Sequence, residues 1–184
     1  MDAITLLKQD HKTVEELFKR FEKAGDRAYA TKRKLVERMI EELSVHASIE
    51  ETVFYPATRE ARRETEDQVL ESLEEHHLVK VVLAELQGMD PKDERFDAKV
   101  TVMIENVRHH VEEEEHDLFP MVRQAMGRKD LQELGAQLDE AKKTAPTRPH
   151  PKAPDEPPGN IAATPVTSVV DRLRDAVREA AGGA

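Results

Sequence analysis

Three features of this sequence predict an all-α fold. Apolar residues recur every three or four positions through the first 145 residues, glycine is scarce (7 residues), and aromatics make up only 4% with no tryptophan. Four long helical stretches joined by short connections argue for an up-down-up-down four-helix bundle with a short fifth helix. A proline-rich linker and a C-terminal amphipathic helix follow. The expected division is residues 1–144 for the bundle and its fifth helix, 145–165 for the linker and 166–184 for the last helix.

The first helix is expected over residues 2–23, where Ile4, Leu7, Val14, Phe18 and Phe21 share a seam and Gly25-Asp26 closes it. The second starts near Ala30 and carries Leu35, Met39, Leu43 and Val53 up to Pro56. The third covers about residues 66–87 through Val69, Leu73, Val79, Leu83 and Leu86, and Gly88 and Pro91 end it. The fourth runs from about Glu94 towards Phe119, with Val100, Met103 and Val107, until Pro120 interrupts it. A shorter amphipathic segment occupies residues 129–143. Seven of the ten prolines lie between Pro146 and Pro165, so this stretch reads as an extended linker with no core of its own. Val169, Val170, Leu173 and Val177 then restore helical spacing. That last helix could dock back on the bundle, pair with another chain or form only on binding.

Acidic residues outnumber basic ones 38 to 28, a formal net charge of −10. Such a surface is repelled by a phosphate backbone, so no nucleic-acid partner is expected. The absence of cysteine excludes disulfides, iron–sulfur clusters, Cys-based zinc sites and thiol catalysis. The start, Met1-Asp2-Ala3-Ile4, has neither the basic residues nor the apolar stretch of a secretory signal. The longest uninterrupted aliphatic run, Val81 to Ala84, is far below the ~20 residues of a spanning helix. A soluble cytoplasmic protein with no membrane partner is the expectation.

The most informative feature is a duplication. His46-Ala-Ser-Ile-Glu50-Glu51-Thr-Val-Phe54-Tyr55-Pro56 and His110-Val-Glu-Glu-Glu114-Glu115-His-Asp-Leu-Phe119-Pro120 both fit H-x-x-x-E-E with a proline ten residues after the histidine. The first two helices and the next two therefore read as two copies of one hairpin. Register selects among adjacent histidines. His11 has Ile4, Val14, Phe18 and Phe21 at the offsets where His76 has Val69, Val79, Leu83 and Leu86, so His11 and His76 correspond and His77 lies beside the seam. His110 follows Met103 and Val107 as His46 follows Met39 and Leu43, so His110 points inward rather than His109.

Residues i and i+4 share a helix face, so His46/Glu50 and His110/Glu114 each aim two ligand-type groups to one side. With His11 and His76 the bundle carries four imidazoles and two carboxylates on inward positions. Burying them without partners would cost several kcal/mol each or force pKa shifts. A pair of metal ions removes the problem, each held by imidazoles and bridged by the carboxylates. Nitrogen and oxygen donors without sulfur suit iron, with manganese or zinc as other occupants.

The remaining candidates read as structural. Glu112 to Glu115 is mostly a solvated charge run from which register selects Glu114, with Glu113 the nearest competitor. Glu51 and Glu115 recur in the repeat and either orient ligands or stand on the surface. Phe54, Tyr55 and Phe119 are expected to pack the bundle end, His77, His109 and His116 to be exposed, and His150 to lie in the linker. Asp10 and Glu75 each precede an inward histidine but point about 100° away from it. Lys80, one turn beyond His76, is expected to snorkel outward.

A lone His on the first and third helices with H-x-x-x-E on the second and fourth resembles the hemerythrin-like, or HHE cation-binding, domain over about residues 2–125. The resemblance implies a four-helix bundle holding two non-haem iron ions, with His11, His46, Glu50, His76, His110 and Glu114 as the ligands. The chain departs from the oxygen-carrying hemerythrins at Lys80, where those have a second histidine on the third helix. It departs again on the fourth helix, where H-x-x-x-x-D is replaced by Glu114 at plus four and Glu115 at plus five. One imidazole fewer changes both coordination and redox potential.

Six protein ligands leave an open position on two six-coordinate ions for oxygen, peroxide, nitric oxide or water. The expected function is binding or sensing of such a ligand. The alternatives are a di-iron enzyme that decomposes hydrogen peroxide, in the manner of a catalase, and a metal-free helical interaction module. The C-terminal helix is the expected surface for a protein partner or self-association.

Overall fold

The computed structural model describes residues 1–182, and among them the chain is helical without strands. Helix α1 (Ala3–Glu22) is capped by Asp2, whose carboxylate accepts from the Thr5 N–H at 2.9 Å. It ends at Lys23 in a tight turn, with Lys23 N–H on Lys19 O and Ala24 N–H on Phe21 O. Gly25 follows this end, but no glycine among the described residues has positive φ, so helix closure comes from the turn rather than from a left-handed glycine.

Helix α2 (Tyr29–Ile49) passes through a π-turn (Glu50–Phe54) into α3 (Tyr55–Ala61). A short 3₁₀ turn leads into α4 (Glu66–Gly88). Helix α5 (Phe96–Glu113) repeats the first pattern through a second π-turn (Glu114–Leu118) into α6 (Phe119–Ala125). Pro56 and Pro120 thus do not end their helices as periodicity predicted. A proline has no N–H to return to the carbonyl four residues back, and its ring crowds that carbonyl. One widened turn before each proline resolves the conflict: Tyr55 N–H bonds Glu50 O and Phe119 N–H bonds Glu114 O, five residues back.

The bundle packs in two apolar clusters with a polar layer between them. Ile4, Leu7, Ile49, Phe54, Val69 and Phe119 belong to one, and Val14, Phe18, Met39, Leu83, Val100 and Met103 to the other. On each of the four long helices the inward histidine falls where the chain passes from one cluster to the other. Helix α7 (Arg128–Lys142) closes the first cluster through Leu131, Leu134 and Leu138. It crosses the start of α1 so closely that a Cβ at Gly135 would stand 2.4 Å from the Met1 carbonyl oxygen, and only glycine fits there.

The segment expected to be an extended linker is packed instead. Ala145, Pro146, Thr147 and Pro149 are buried. Helix α8 (Gly159–Gly182) begins before Pro165 and contains it. The chain folds back because its polar groups find partners on α8. Thr147 Oγ1 donates to Asp175 Oδ2 at 2.6 Å, and Arg148 N–H donates to the buried Asp171 Oδ2 at 3.0 Å. Val169, Val170 and Leu173 lie on the exposed side of α8. The Val177 side chain and residues 183–184 of the predicted last segment lie outside the described residues.

Candidate metal centre

The six residues selected by register meet in the polar layer. His11, His46, His76 and His110 are buried, and Glu50 and Glu114 are 0% and 1% exposed. The Nε2 atoms of His11 and His46 lie 3.2 Å apart, as do those of His76 and His110, so each hairpin contributes one imidazole pair. Each carboxylate reaches across both pairs. Glu50 Oε2 is 3.1 Å from His46 Nε2 and 3.5 Å from His76 Nε2. Glu114 Oε2 is 3.4 Å from His11 Nε2 and 3.7 Å from His110 Nε2.

The outward face of every ring meets a carboxylate. His11 Nδ1 lies 2.9 Å from Glu115 Oε1, His76 Nδ1 3.0 Å from Glu51 Oε1, and His110 Nδ1 2.7 Å from Glu75 Oε2. His46 Nδ1 faces Asp10 Oδ2 at 3.6 Å, longer than a hydrogen bond. The supports are exchanged between helices: Asp10 serves His46 and Glu75 serves His110, each across its own hairpin, while Glu51 and Glu115 serve a histidine of the other hairpin. This resolves the open reading of Glu51 and Glu115, and shows why Asp10 and Glu75 need not face their own neighbours. Such partners fix ring orientation and leave Nε2 as the inward donor.

Lys80 does not snorkel into solvent. Its Nζ lies 2.6 Å from Glu51 Oε1, while Lys8 Nζ lies 2.8 Å from Glu115 Oε2. Two of the carboxylate supports therefore carry a lysine from the same helix as the histidine they hold. Tyr55, expected only to pack the bundle end, is the residue of this cluster that sequence reasoning missed. Its hydroxyl donates to Glu114 Oε1 at 3.0 Å and stands 3.4 Å from His76 Nε2. The signal was present in the repeat, because Tyr55 corresponds to Phe119, and Phe119 stacks on His11 at 5.8 Å between ring centroids. His109 and His116 are exposed, His77 is half-buried, and His150 bonds Asp171. Glu75, His109 and Glu113 form a further His/Glu group towards the surface, with Glu113 outside the buried layer.

The electrostatics of the cluster suit a bound cation. Both Glu50 oxygens and Glu114 Oε2 are buried with no hydrogen-bond partner. Burial, reinforced by the Glu114 charge, pushes the Glu50 carboxyl well above the ordinary carboxylate range. Glu114 is held well below that range; burial works against this, and the His110 and His11 rings outweigh it. Burial pulls His46 down to about 4. His11 is raised to about 9, burial notwithstanding, by hydrogen bonds to Glu114 and Glu115. Orphaned carboxylate oxygens facing imidazole nitrogens are a donor set suited to metal ions. One ligand atom from each of His11, His46, Glu50 and Glu114 lies within 4.8 Å of the others, and the same holds for Glu50, His76 and His110. The buried His/Glu clusters are able to hold metal.

The sequence profile of the Hemerythrin HHE cation binding domain matches residues 2–122. The chain belongs to this family. An uncharacterized hemerythrin-like protein of Schizosaccharomyces pombe is 27% identical over 168 residues, covering 91% of this chain and 82% of that protein. A DNA nickase of Nostoc sp. is 26% identical over 145 residues, covering 77% of this chain. The match spans only 39% of the nickase, so most of that protein has no counterpart in the aligned region. Among solved structures, a hemerythrin HHE cation binding domain-containing protein of Mycobacterium kansasii superposes with a TM-score of 0.65 at 22% identity. That match covers 78% of this chain and 88% of the other, and it carries the helical HHE fold. No helix among the described residues is long and apolar enough to cross a membrane.

Proposed function

We propose that this hemerythrin-like protein holds two non-haem iron ions and binds or senses oxygen, peroxide or nitric oxide, working in the cytoplasm. His11 and His46 would hold one ion and His76 and His110 the other, with Glu50 and Glu114 shared between them. The observation that carries this reading is the double reach of the two carboxylates, each facing one imidazole of each pair. When bound, an iron pair supplies reversible redox chemistry and an open position for a small exogenous ligand.

The chain's own residues limit what that ligand can be. A cavity of about 30 Å³ adjoins the four imidazoles, and Val14, Leu43, Val79, Leu83, Val107 and Val111 give it an apolar wall. Such a space suits a molecule of two or three atoms and excludes organic substrates. Lys80 and Glu75 also line it, with the Lys80 ammonium held by Glu51 at 2.6 Å. Tyr55 supplies the hydroxyl nearest the rings, already donated to Glu114. The predominantly apolar wall is the feature that favours ligation of a small neutral molecule over turnover of peroxide.

Elemental analysis of protein expressed with added iron tests the reading. About two irons per chain is the expected result, and little or no metal after reconstitution overturns it in favour of a metal-free helical module. Zinc or manganese in place of iron keeps the centre and removes the oxygen chemistry. Stoichiometric spectral change with peroxide or nitric oxide supports binding. Consumption of peroxide in large excess over protein would instead establish the enzyme.

A further inference from the structure

The repeat makes the groove between α1 and α5 equivalent to the groove between α4 and α2. Val14 corresponds to Val79, Val107 to Leu43 and Val111 to Ala47. The two grooves nevertheless differ. The α1–α5 groove is an open depression of about 420 Å³ with His11, Val14, Val107 and Val111 among its lining residues. The same four residues line the small apolar cavity at the imidazoles, so they are the partition between groove and cavity. On the α4–α2 side only about 40 Å³ remains, in a pocket between Glu51 and Lys80 of the bundle and Arg148, His150, Asn160 and Thr167 of the C-terminal segment.

That segment is held to the bundle by Asn160 and by Glu156, which pairs with Arg59 at 3.0 Å, and is braced by bonds within itself. Asn160 Nδ2 donates to the Glu51 carbonyl at 3.0 Å and to the Asp155 carbonyl at 2.9 Å. Arg148 N–H and His150 Nε2 both meet Asp171 Oδ2, at 3.0 and 2.9 Å. The reason it lies on this side is visible in the repeat. Helix α2 and its π-turn present Ser44, Ser48 and Thr52, which are small and neutral, where the second copy has Arg108, Glu112 and His116. Arg108 is spread against α1 by ion pairs to Glu15 at 2.9 Å and Glu22 at 2.7 Å, and a chain segment could not lie flat there.

We infer that small uncharged molecules reach the histidine cluster from one side only, past Val14, Val107 and Val111 from the α1–α5 groove, and that residues 146–171 seal the equivalent path. The three valines therefore set the size of what is admitted. The inference deepens the proposed ligand-binding function and rests on it for its purpose, but the route is a property of the protein without metal.

The test uses that independence. The chain has two tyrosines and no tryptophan, so Tyr29→Phe leaves Tyr55, in contact with the cavity-lining His76, as the one emitter. The readout is the shortening of the Tyr55 fluorescence lifetime by dissolved oxygen at raised pressure, in metal-free protein. Val111→Phe should slow quenching several-fold and Val111→Ala should quicken it, while Ser44→Val, which lines the pocket under the C-terminal segment and not the imidazole cavity, leaves it unchanged. Adding Asn160→Ala and Asp171→Ala to Val111→Phe should accelerate amide exchange across residues 146–171 and restore quenching. Quenching indifferent to both Val111 variants overturns the route, and a Ser44→Val effect as large as that of Val111→Phe overturns its one-sidedness. Accelerated exchange without recovery overturns the seal. So does exchange that does not accelerate, because these bonds would then not hold the segment. Failure to bind metal would refute the proposed function and leave these lifetimes intact.

Discussion

Residues 3–61 and 66–125 are two copies of one hairpin, and they agree inside the polar layer far better than outside it. Each supplies an inward lone histidine, an H-x-x-x-E pair, a π-turn beginning at the glutamate and a proline two residues after the turn. They differ in what surrounds that layer: Tyr55 against Phe119, Ser44 and Ser48 against Arg108 and Glu112, and Lys80 on α4 against Lys8 on α1. The two halves of the cluster are thus nearly equivalent in their imidazole and carboxylate groups and unequal in hydrogen bonding and in cover. A duplicated scaffold builds a symmetric donor set, and substitutions one turn away make the two positions distinct.

The largest expected effect comes from the shared core of the comparison. Glu50→Gln and Glu114→Gln should each remove a group that faces both imidazole pairs, so either variant should lose most bound metal from both positions, read as metal per chain. Retention of one ion in either variant would mean that the carboxylates serve the halves separately. Next in size is the packing beneath the centre. Phe54 is fully buried and meets the Phe119 ring edge-on at 5.7 Å, so Phe54→Ala should cost ~3–5 kcal/mol in denaturant unfolding.

A smaller effect separates the halves directly. Tyr55→Phe makes them alike and leaves Glu114 Oε1 without its hydroxyl, for an expected loss of ~1.5–3 kcal/mol in metal-free protein. Adding Phe119→Tyr moves the hydroxyl to the other half, where both Glu50 oxygens lack partners, and should recover part of that loss. No recovery would show that the halves differ in backbone placement as well as in side chain.

The smallest effect concerns the helix starts. Asp2 caps α1, whereas its counterpart Asp67 lies inside the first turn of α4, where no side chain caps the helix. Asp2→Ala should therefore cost ~1 kcal/mol at neutral pH and Asp67→Ala only a few tenths. Burial raises the Asp2 pKa, but the Thr5 backbone and hydroxyl bonds outweigh it, so the folded value lies below the ordinary 3.8. A lowered folded pKa stabilises the protein above that ordinary value, and the contribution fades as pH falls through the folded value. The gap between parent and Asp2→Ala should narrow in acid, as measured by unfolding at pH 7 and below pH 3.

Much of this molecule was legible in its residues. Apolar periodicity determined the helices, and the duplication determined which of each histidine pair and which glutamate of the 112–115 run turn inward, because helical phase depends only on spacing along one chain. The prolines were read as stops, since a local rule does not show that a five-residue turn lets the helix pass them. Only the tertiary structure decided which carboxylate supports which histidine, because those bonds cross between helices and depend on how the hairpins face each other. It likewise decided that Tyr55 belongs to the centre and that the proline-rich segment covers one groove. A segment whose polar groups look solvated in isolation becomes structure when Asp171, Asn160 and the Glu51 carbonyl stand where those groups can bond them.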